Sequence, residues 1–271
     1  MITAWKWNDA FLPKNGGAMY GWFFWMWIAI MAVECILLLP VAAKHKEKTT
    51  DRVVLCYGLI LLTAEIYKQI FFTVENGTYP WNLFPWQFCS VPMFLAVIAP
   101  LLRKGRVKDA LYKFLAFFGL IAGIMTLLIP EGFYWDYVTI TCHSFMWHTS
   151  IVVVSLYLIV ANGYAKKLGS FVRECVPAFI VYTAVVLIAL VLNVLWWYLL
   201  SGIVPEGMTF SMFYISPFFN SSLPVFRDVQ PMVPYPVFLA FYVVSFCIGA
   251  AAVWFATLGI RKIFRKRKAE K

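Results

Sequence analysis

The six residues 84–89, FPWQFC, put a proline, a glutamine and a thiol at the head of a strongly apolar stretch. Cys89 is the strongest nucleophile there once deprotonated. An imidazole can take the thiol proton, and the thiolate can then accept an acyl group as a thioester and pass it to a second oxygen or nitrogen nucleophile. His143 and His148 supply imidazoles in another apolar stretch, and Glu65, Lys68, Gln87 and Asn193 add polar groups in segments otherwise built of hydrophobic residues. The same residue types also serve structure, as a packing cysteine and a histidine hydrogen-bonded inside a bundle. Which use applies depends on the elements that position them.

Those elements are membrane helices. The chain of 271 residues is 62% hydrophobic and 13% charged, with 25 Phe, 14 Tyr and 12 Trp, more apolar surface than a water-soluble domain can hide. A helix crossing the hydrocarbon needs roughly 20 mostly apolar residues. Seven segments meet that length: 18–43, 53–74, 83–102, 110–129, 138–161, 175–200 and 236–260. Glu65, Lys68 and Gln69 interrupt the second. No repeat or long linker divides the chain, so the expected fold is all-α, a polytopic single membrane domain of seven transmembrane helices spanning 1–271. The first segment is too long for a signal peptide and no basic stretch precedes it.

The net charge of +10 is distributed by position. Lys44, Lys46, Lys48 and Arg52 lie between the first two segments, Arg103, Lys104, Arg106 and Lys108 between the third and fourth, and Lys166, Lys167 and Arg173 between the fifth and sixth. The 261–271 tail carries Arg261, Lys262, Arg265, Lys266, Arg267, Lys268 and Lys271, whereas the alternate connections and the N-terminus hold only Lys6, Lys14 and Arg227. This alternation places the N-terminus outside and the C-terminus in the cytoplasm. The basic tail reads as a flank beside anionic lipid, not as a nucleic-acid site.

The connection 201–235 contains Pro205, Pro217, Pro224, Pro231 and Pro234 among many aromatics, which argues against another spanning helix. It is expected at the outer interface as an aromatic belt, with a lid over the bundle as the alternative. Asn76-Gly77-Thr78 and Asn220-Ser221-Ser222 fit the glycosylation acceptor pattern, which has meaning only in a eukaryotic secretory pathway. The six cysteines show no CxxC spacing, and one of only three histidines, His45, sits in a connection. Neither a disulfide framework nor a metal site is expected.

At about 1.5 Å per residue, the alternating directions bring Glu65, Lys68, Gln87, Cys89, His143, His148 and Asn193 to one layer in the outer half of the membrane. Ionisable groups at that depth normally face a bundle interior or a water-filled cavity, so a shared layer suggests one polar pocket. His143 and His148 differ by about 140° of helical phase. Thr141, Ser144 and His148 form a polar stripe that makes His148 the inward-facing candidate, while His143 shares its stripe with Met146, Trp147 and Ser150. Glu65 and Lys68, three apart, can neutralise each other. Gly119 and Gly123 form a GxxxG pattern expected to pack inside the molecule.

The order FPWQFC, WHTSI around His148, Asn193 near the end of the sixth segment and YPVF after the proline-bearing connection resembles the YwaF-like integral membrane proteins, the family that includes animal transmembrane protein 164. The resemblance spans roughly 65–238. The family's first motif typically reads like LPLQLC, with Pro85, Gln87 and Cys89 kept here, and Thr149 stands where a glycine usually follows the histidine. The resemblance implies an acyltransferase that moves fatty acyl groups between glycerolipids, with Cys89 and His148 as the catalytic pair. Gln87 and Asn193 are then candidate donors to an oxyanion, Lys68 a headgroup contact, and Glu65 and His143 further pocket residues. Membrane phospholipids are the candidate substrates, and no dissociable cofactor or metal is required. The alternative is a non-enzymatic seven-helix binder or transporter of a small molecule or lipid. A bacterial-type plasma membrane is the default location, and the sequence does not fix an oligomeric state.

Overall fold

The structure, a computed structural model, describes residues 18–44, 47–202, 204 and 207–269. Lys6, Lys14, His45, Lys46, Pro205 and Lys271 lie outside the described residues, as do the side chains of Arg267 and Lys268. Among the described residues every regular element is helical: α1 (Trp22–Ala42), α2 (Glu47–Asn76), α3 (Val91–Leu101), α4 (Arg106–Leu128), α5 (Val138–Ala161), α6 (Phe171–Leu200), the short α7 (Phe226–Val229) and α8 (Tyr235–Ala269). Six of them, all but α3 and α7, are long and apolar enough to cross a membrane. The chain is a multi-pass membrane protein.

The bundle is organised around α4 and α5. Both are buried along most of their length, whereas α1, α2, α6 and α8 turn wide apolar faces outward, the inversion expected when lipid is the solvent. The GxxxG face of α4 packs on α5, as its spacing predicts. A Cβ on Gly119 would sit 2.7 Å from Ser155 Oγ, and one on Gly123 would sit 3.0 Å from the backbone oxygen of His148. A second close crossing brings α2 onto α3, where a Cβ on Gly58 would lie 2.7 Å from the backbone carbon of Ala96.

The basic segments gather at one end of the bundle. Lys104 pairs with Glu47 at 3.1 Å, Lys108 pairs with Asp51 at 2.6 Å, and the Tyr112 hydroxyl donates to the other Asp51 oxygen. Lys113 donates to the Arg173 carbonyl, Arg261 to that of Ile159 and Arg265 to that of Lys166. The opposite end is tied by tyrosines. Tyr20 donates to the Leu128 carbonyl and Tyr134 to that of Met19, both at 2.6 Å. Burial pushes the Tyr134 phenol up to about 12, so it remains a donor at neutral pH.

The third apolar segment departs from expectation. The stretch 83–102 is not one spanning helix, because α3 has 11 residues and starts only at Val91. Pro85 lacks an N–H and disfavours helical geometry at the residue before it, and Phe84 is accordingly extended (φ −51°, ψ 134°). Helix resumes once Pro92 occupies its first turn, where a missing N–H costs nothing. Elsewhere the helices overrun their apolar cores, since α2 continues unbroken through Glu65, Lys68 and Gln69.

The connection after α6 also differs from the expected belt. Phe210, Met212, Phe213, Ile215 and Ser216 are all buried, so this stretch enters the bundle instead of lying on its rim. Phe210 stacks on Trp196 of α6 at 5.3 Å. Phe213 meets Phe88 from the irregular segment at 6.0 Å.

Candidate functional site

Cys89 lies in the irregular stretch, two residues before α3. Its carbonyl oxygen accepts a hydrogen bond of 3.0 Å from Trp147 Nε1 of α5, and its side chain packs against a cluster of Leu61, Met93, Trp147 and Ile151. Irregular backbone at this depth is stable only where protein groups satisfy it, and the indole does so here. Lys68, Glu65, Tyr214 and Tyr242 are near enough to Cys89 to interact with its ionised form.

α5 presents both histidines, five residues apart. His148 Nδ1 is 2.8 Å from the Ser144 carbonyl. A carbonyl can only accept, so Nδ1 carries the proton and Nε2 holds a lone pair, the form a general base requires. The ring stacks on Phe133 at 4.4 Å and 19°, which fixes its plane. His143 instead stacks on Trp147 at 5.2 Å, and its Nε2 is sealed without a hydrogen-bond partner. The two imidazoles occupy different walls, as their helical phase requires.

Lys68 links these groups. Its ammonium lies 2.8 Å from Glu65 Oε1 and acts electrostatically on Cys89, His143 and His148 alike. Gln69 Nε2 donates to the same Glu65 oxygen at 2.6 Å and to the Leu83 carbonyl at 2.7 Å, so the carboxylate is held from both sides. Glu65 Oε2 and Gln69 Oε1 are sealed and unpartnered. Among the described residues no hydrogen bond joins Cys89 to His148, and no group of three His, Cys, Asp or Glu side chains is gathered for a metal.

Gln87 and Asn193 have a different use of their amides. Gln87 Nε2 donates to the Ser211 carbonyl at 3.0 Å while its Oε1 accepts from Phe213 N at 2.8 Å. Asn193 treats Met212 the same way, donating at 3.1 Å to its carbonyl and accepting at 2.7 Å from its N–H. Two side-chain amides from different elements therefore clamp three consecutive residues of the inserted connection. Phe213 and Tyr214 adopt left-handed backbone there, with φ of 57° at both, and Tyr214 follows directly after the clamped residues.

A family model described as the TMEM164 family matches residues 19–254. The chain belongs to the TMEM164 family. No curated protein and no solved structure matches it.

In this TMEM164-family chain the residues singled out by type fall into two sets. Glu65, Lys68, Cys89, His143 and His148 form one electrostatic neighbourhood, while Gln87 and Asn193 shape the wall that the inserted connection completes. Trp147, Gln69 and Tyr214 join these residues in the fold, although their types alone do not mark them. Gln69 was within reach of sequence reasoning, because it stands four residues from Glu65 on the same helical face. Trp147 carries an N–H that a buried indole must place somewhere, but its acceptor, a backbone carbonyl 58 positions away, leaves no trace in residue types. Tyr214 enters only through the folding of its connection.

Proposed function

We propose that the protein is a membrane-embedded acyltransferase that moves a fatty acyl group between glycerolipids through a thioester on Cys89. The observation that carries this reading is the Trp147–Cys89 hydrogen bond, which anchors the nucleophile's own backbone to the helical turn bearing His148. The tautomer held by Ser144, with the Nε2 lone pair free, supports the assignment of His148 as base.

In the proposed sequence the Cys89 side chain first turns toward Nε2 of His148, which takes the Sγ–H proton. The thiolate attacks the carbonyl carbon of a phospholipid ester, forming a C–S bond. Collapse of the tetrahedral intermediate breaks the ester C–O bond, and the departing lyso-lipid oxygen takes the proton from His148. A second lyso-lipid hydroxyl then gives its proton to Nε2, its oxygen attacks the thioester carbonyl, the C–S bond breaks, and Sγ recovers the proton. Lys68 contributes a positive charge to the developing anion and to the lipid phosphate. Gln87 and Asn193 hold the wall in shape, and the balance of atoms needs no cofactor.

The finer topology belongs to the same reading. Residues 81–101 form a seventh crossing, half irregular and half helical. It runs from the level of Gln69, which bonds Leu83, toward that of Glu47, which pairs with Lys104 just beyond α3. With the basic end in the cytoplasm, the N-terminus is outside and the site opens from the outer leaflet.

Intact-protein mass spectrometry after incubation with a defined phospholipid tests the chemistry. A hydroxylamine-sensitive acyl adduct present in wild type and lost in Cys89→Ala and His148→Ala is the expected result. A folded, lipid-retaining protein with no adduct and no lipid remodelling would instead make it a binder or transporter.

A further inference from the structure

α1 and α2 both rest on α5 but barely touch each other. They meet where Tyr57 donates to Glu34 at 3.1 Å and where Leu38 and Val53 pack beside Ala42. Elsewhere a groove of about 590 Å³ separates them, lined by Trp27, Leu59, Ile60, Ala64, Tyr67 and His143 among others. That volume is in the usual range for a small-molecule site, about 300 to 1,000 Å³. Leu59 and Ile60 are exposed along its edge, so it opens sideways to the hydrocarbon.

We infer that this groove holds one acyl chain of a glycerophospholipid whose phosphate is bound at Lys68, an inference that rests on the acyl-transfer reading and places its substrate. Length supports the occupant. From Cys56 to Tyr67, both on the groove, α2 rises about 16 Å, close to half of the roughly 30 Å hydrocarbon core and hence to one leaflet of chain. Charge supports it too. Lys68 directly follows Tyr67, keeps 15% of its side chain exposed and acts on His143 in the groove wall and on Cys89. A phosphate at Lys68 with its chain in the groove carries the lipid's ester bond toward the thiol.

The test uses Cys89→Ala protein, which separates binding from turnover, in nanodiscs containing a phosphatidylcholine with a mid-chain diazirine. After irradiation, peptide mapping is expected to find label on Leu59, Ile60 and Ala64 at least five times above the outward positions Ile180 and Ile248. Ala64→Trp, which fills the groove, should remove that excess, and Lys68→Gln, made together with Glu65→Gln so that no buried charge is stranded, should reduce it several-fold. Thr63→Phe at the groove edge serves if Ala64→Trp does not fold. Equal labelling of the groove and of Ile180 and Ile248, or labelling indifferent to the filling substitution, overturns the inference. Groove labelling with no acyl adduct on wild type sinks acyl transfer alone, and an adduct with uniform labelling sinks the groove alone.

Discussion

Trp147 Nε1 lies 3.0 Å from the carbonyl oxygen of Cys89, and this bond ties the irregular segment before α3 to α5. It satisfies a carbonyl that a broken helix would leave unpaired inside the membrane, and it sets the height of the thiol relative to α5. The indole also stacks on His143 and packs in the cluster with Leu61 and Ile151. The residue that anchors Cys89, the proposed nucleophile, thus sits between the two imidazoles in sequence and touches His143, not the proposed base His148.

Trp147→Phe keeps the ring and deletes the donor. A net hydrogen bond is worth about 1 kcal/mol, and an orphaned buried acceptor costs about 1 to 3, so thioester formation should fall roughly 5- to 100-fold. The melting temperature should drop by only a few degrees. Single-turnover acylation followed by mass spectrometry measures the rate. A rate equal to wild type would mean that the bond does not position Cys89.

The two histidines separate by substitution. His148→Ala should abolish the acyl adduct, whereas His143→Ala should leave acylation within about tenfold of wild type, the scale of one lost secondary contact. The reverse ranking would transfer the role of base to His143 and would break the argument from the Ser144-bound tautomer. Both variants should be compared at equal folded fraction, since each ring is stacked and buried.

How much of this was written in residue types varies by element. The helices that face lipid announce themselves through length and composition, and the basic clusters that contact one another at one end of the bundle follow the alternation seen along the chain. The stretch 83–102 reads as a seventh helix because hydropathy does not register backbone geometry, although Pro85 signals the break. Gln87 and Asn193 read as oxyanion donors because an amide in an apolar segment looks catalytic. Their acceptors are backbone groups of a connection whose insertion into the bundle depends on long-range packing around Phe210 and Phe213. Counting residues along alternating helices groups Lys68, Cys89 and His148 in one layer; Lys68 interacts electrostatically with both of the others, while the approach of thiol to imidazole is a matter of side-chain geometry that counting does not reach.

The clamp makes a prediction about stability. Gln87→Ala leaves the Phe213 N–H, and Asn193→Ala the Met212 N–H, without a partner at about 1 to 3 kcal/mol each, whereas the Ser211 and Met212 carbonyls still accept from Tyr214 and Ile215 N–H. Each should lower the thermal midpoint and open 207–234 to protease. Because the two amides hold interleaved residues of one three-residue stretch, Gln87 at Ser211 and Phe213 and Asn193 at Met212, the double variant should lose less than the sum of the singles. Additive losses would show that the two clamps act independently.

Close helix approach predicts a further loss. A Cβ at Gly58 meets the backbone of Ala96 and Val97 at 2.7 and 2.8 Å, and backbone cannot yield as a side-chain tip can. Gly58→Ala should cost about 1 to 3 kcal/mol by forcing α2 from α3. Gly202→Ala, where a Cβ meets nothing within 4 Å, should be near neutral by the same thermal assay. Equal midpoints would contradict the α2–α3 crossing.

The Glu65–Lys68 pair distinguishes stability from chemistry. Removing one partner of a buried ion pair strands the other charge and costs about 3 to 5 kcal/mol, whereas removing both is often close to neutral. Lys68→Met alone should therefore be strongly destabilising, since Glu65 is only 3% exposed and its Oε2 already lacks a partner. Adding Glu65→Gln should restore most of the thermal midpoint, because a neutral amide with Gln69 nearby tolerates the absence of a cation. Acylation should not return with it. Lys68 acts electrostatically on both Cys89 and His148, and the double variant has lost that charge while keeping the fold. Recovery of turnover together with stability would reduce Lys68 to a structural counterion and remove it from the reaction.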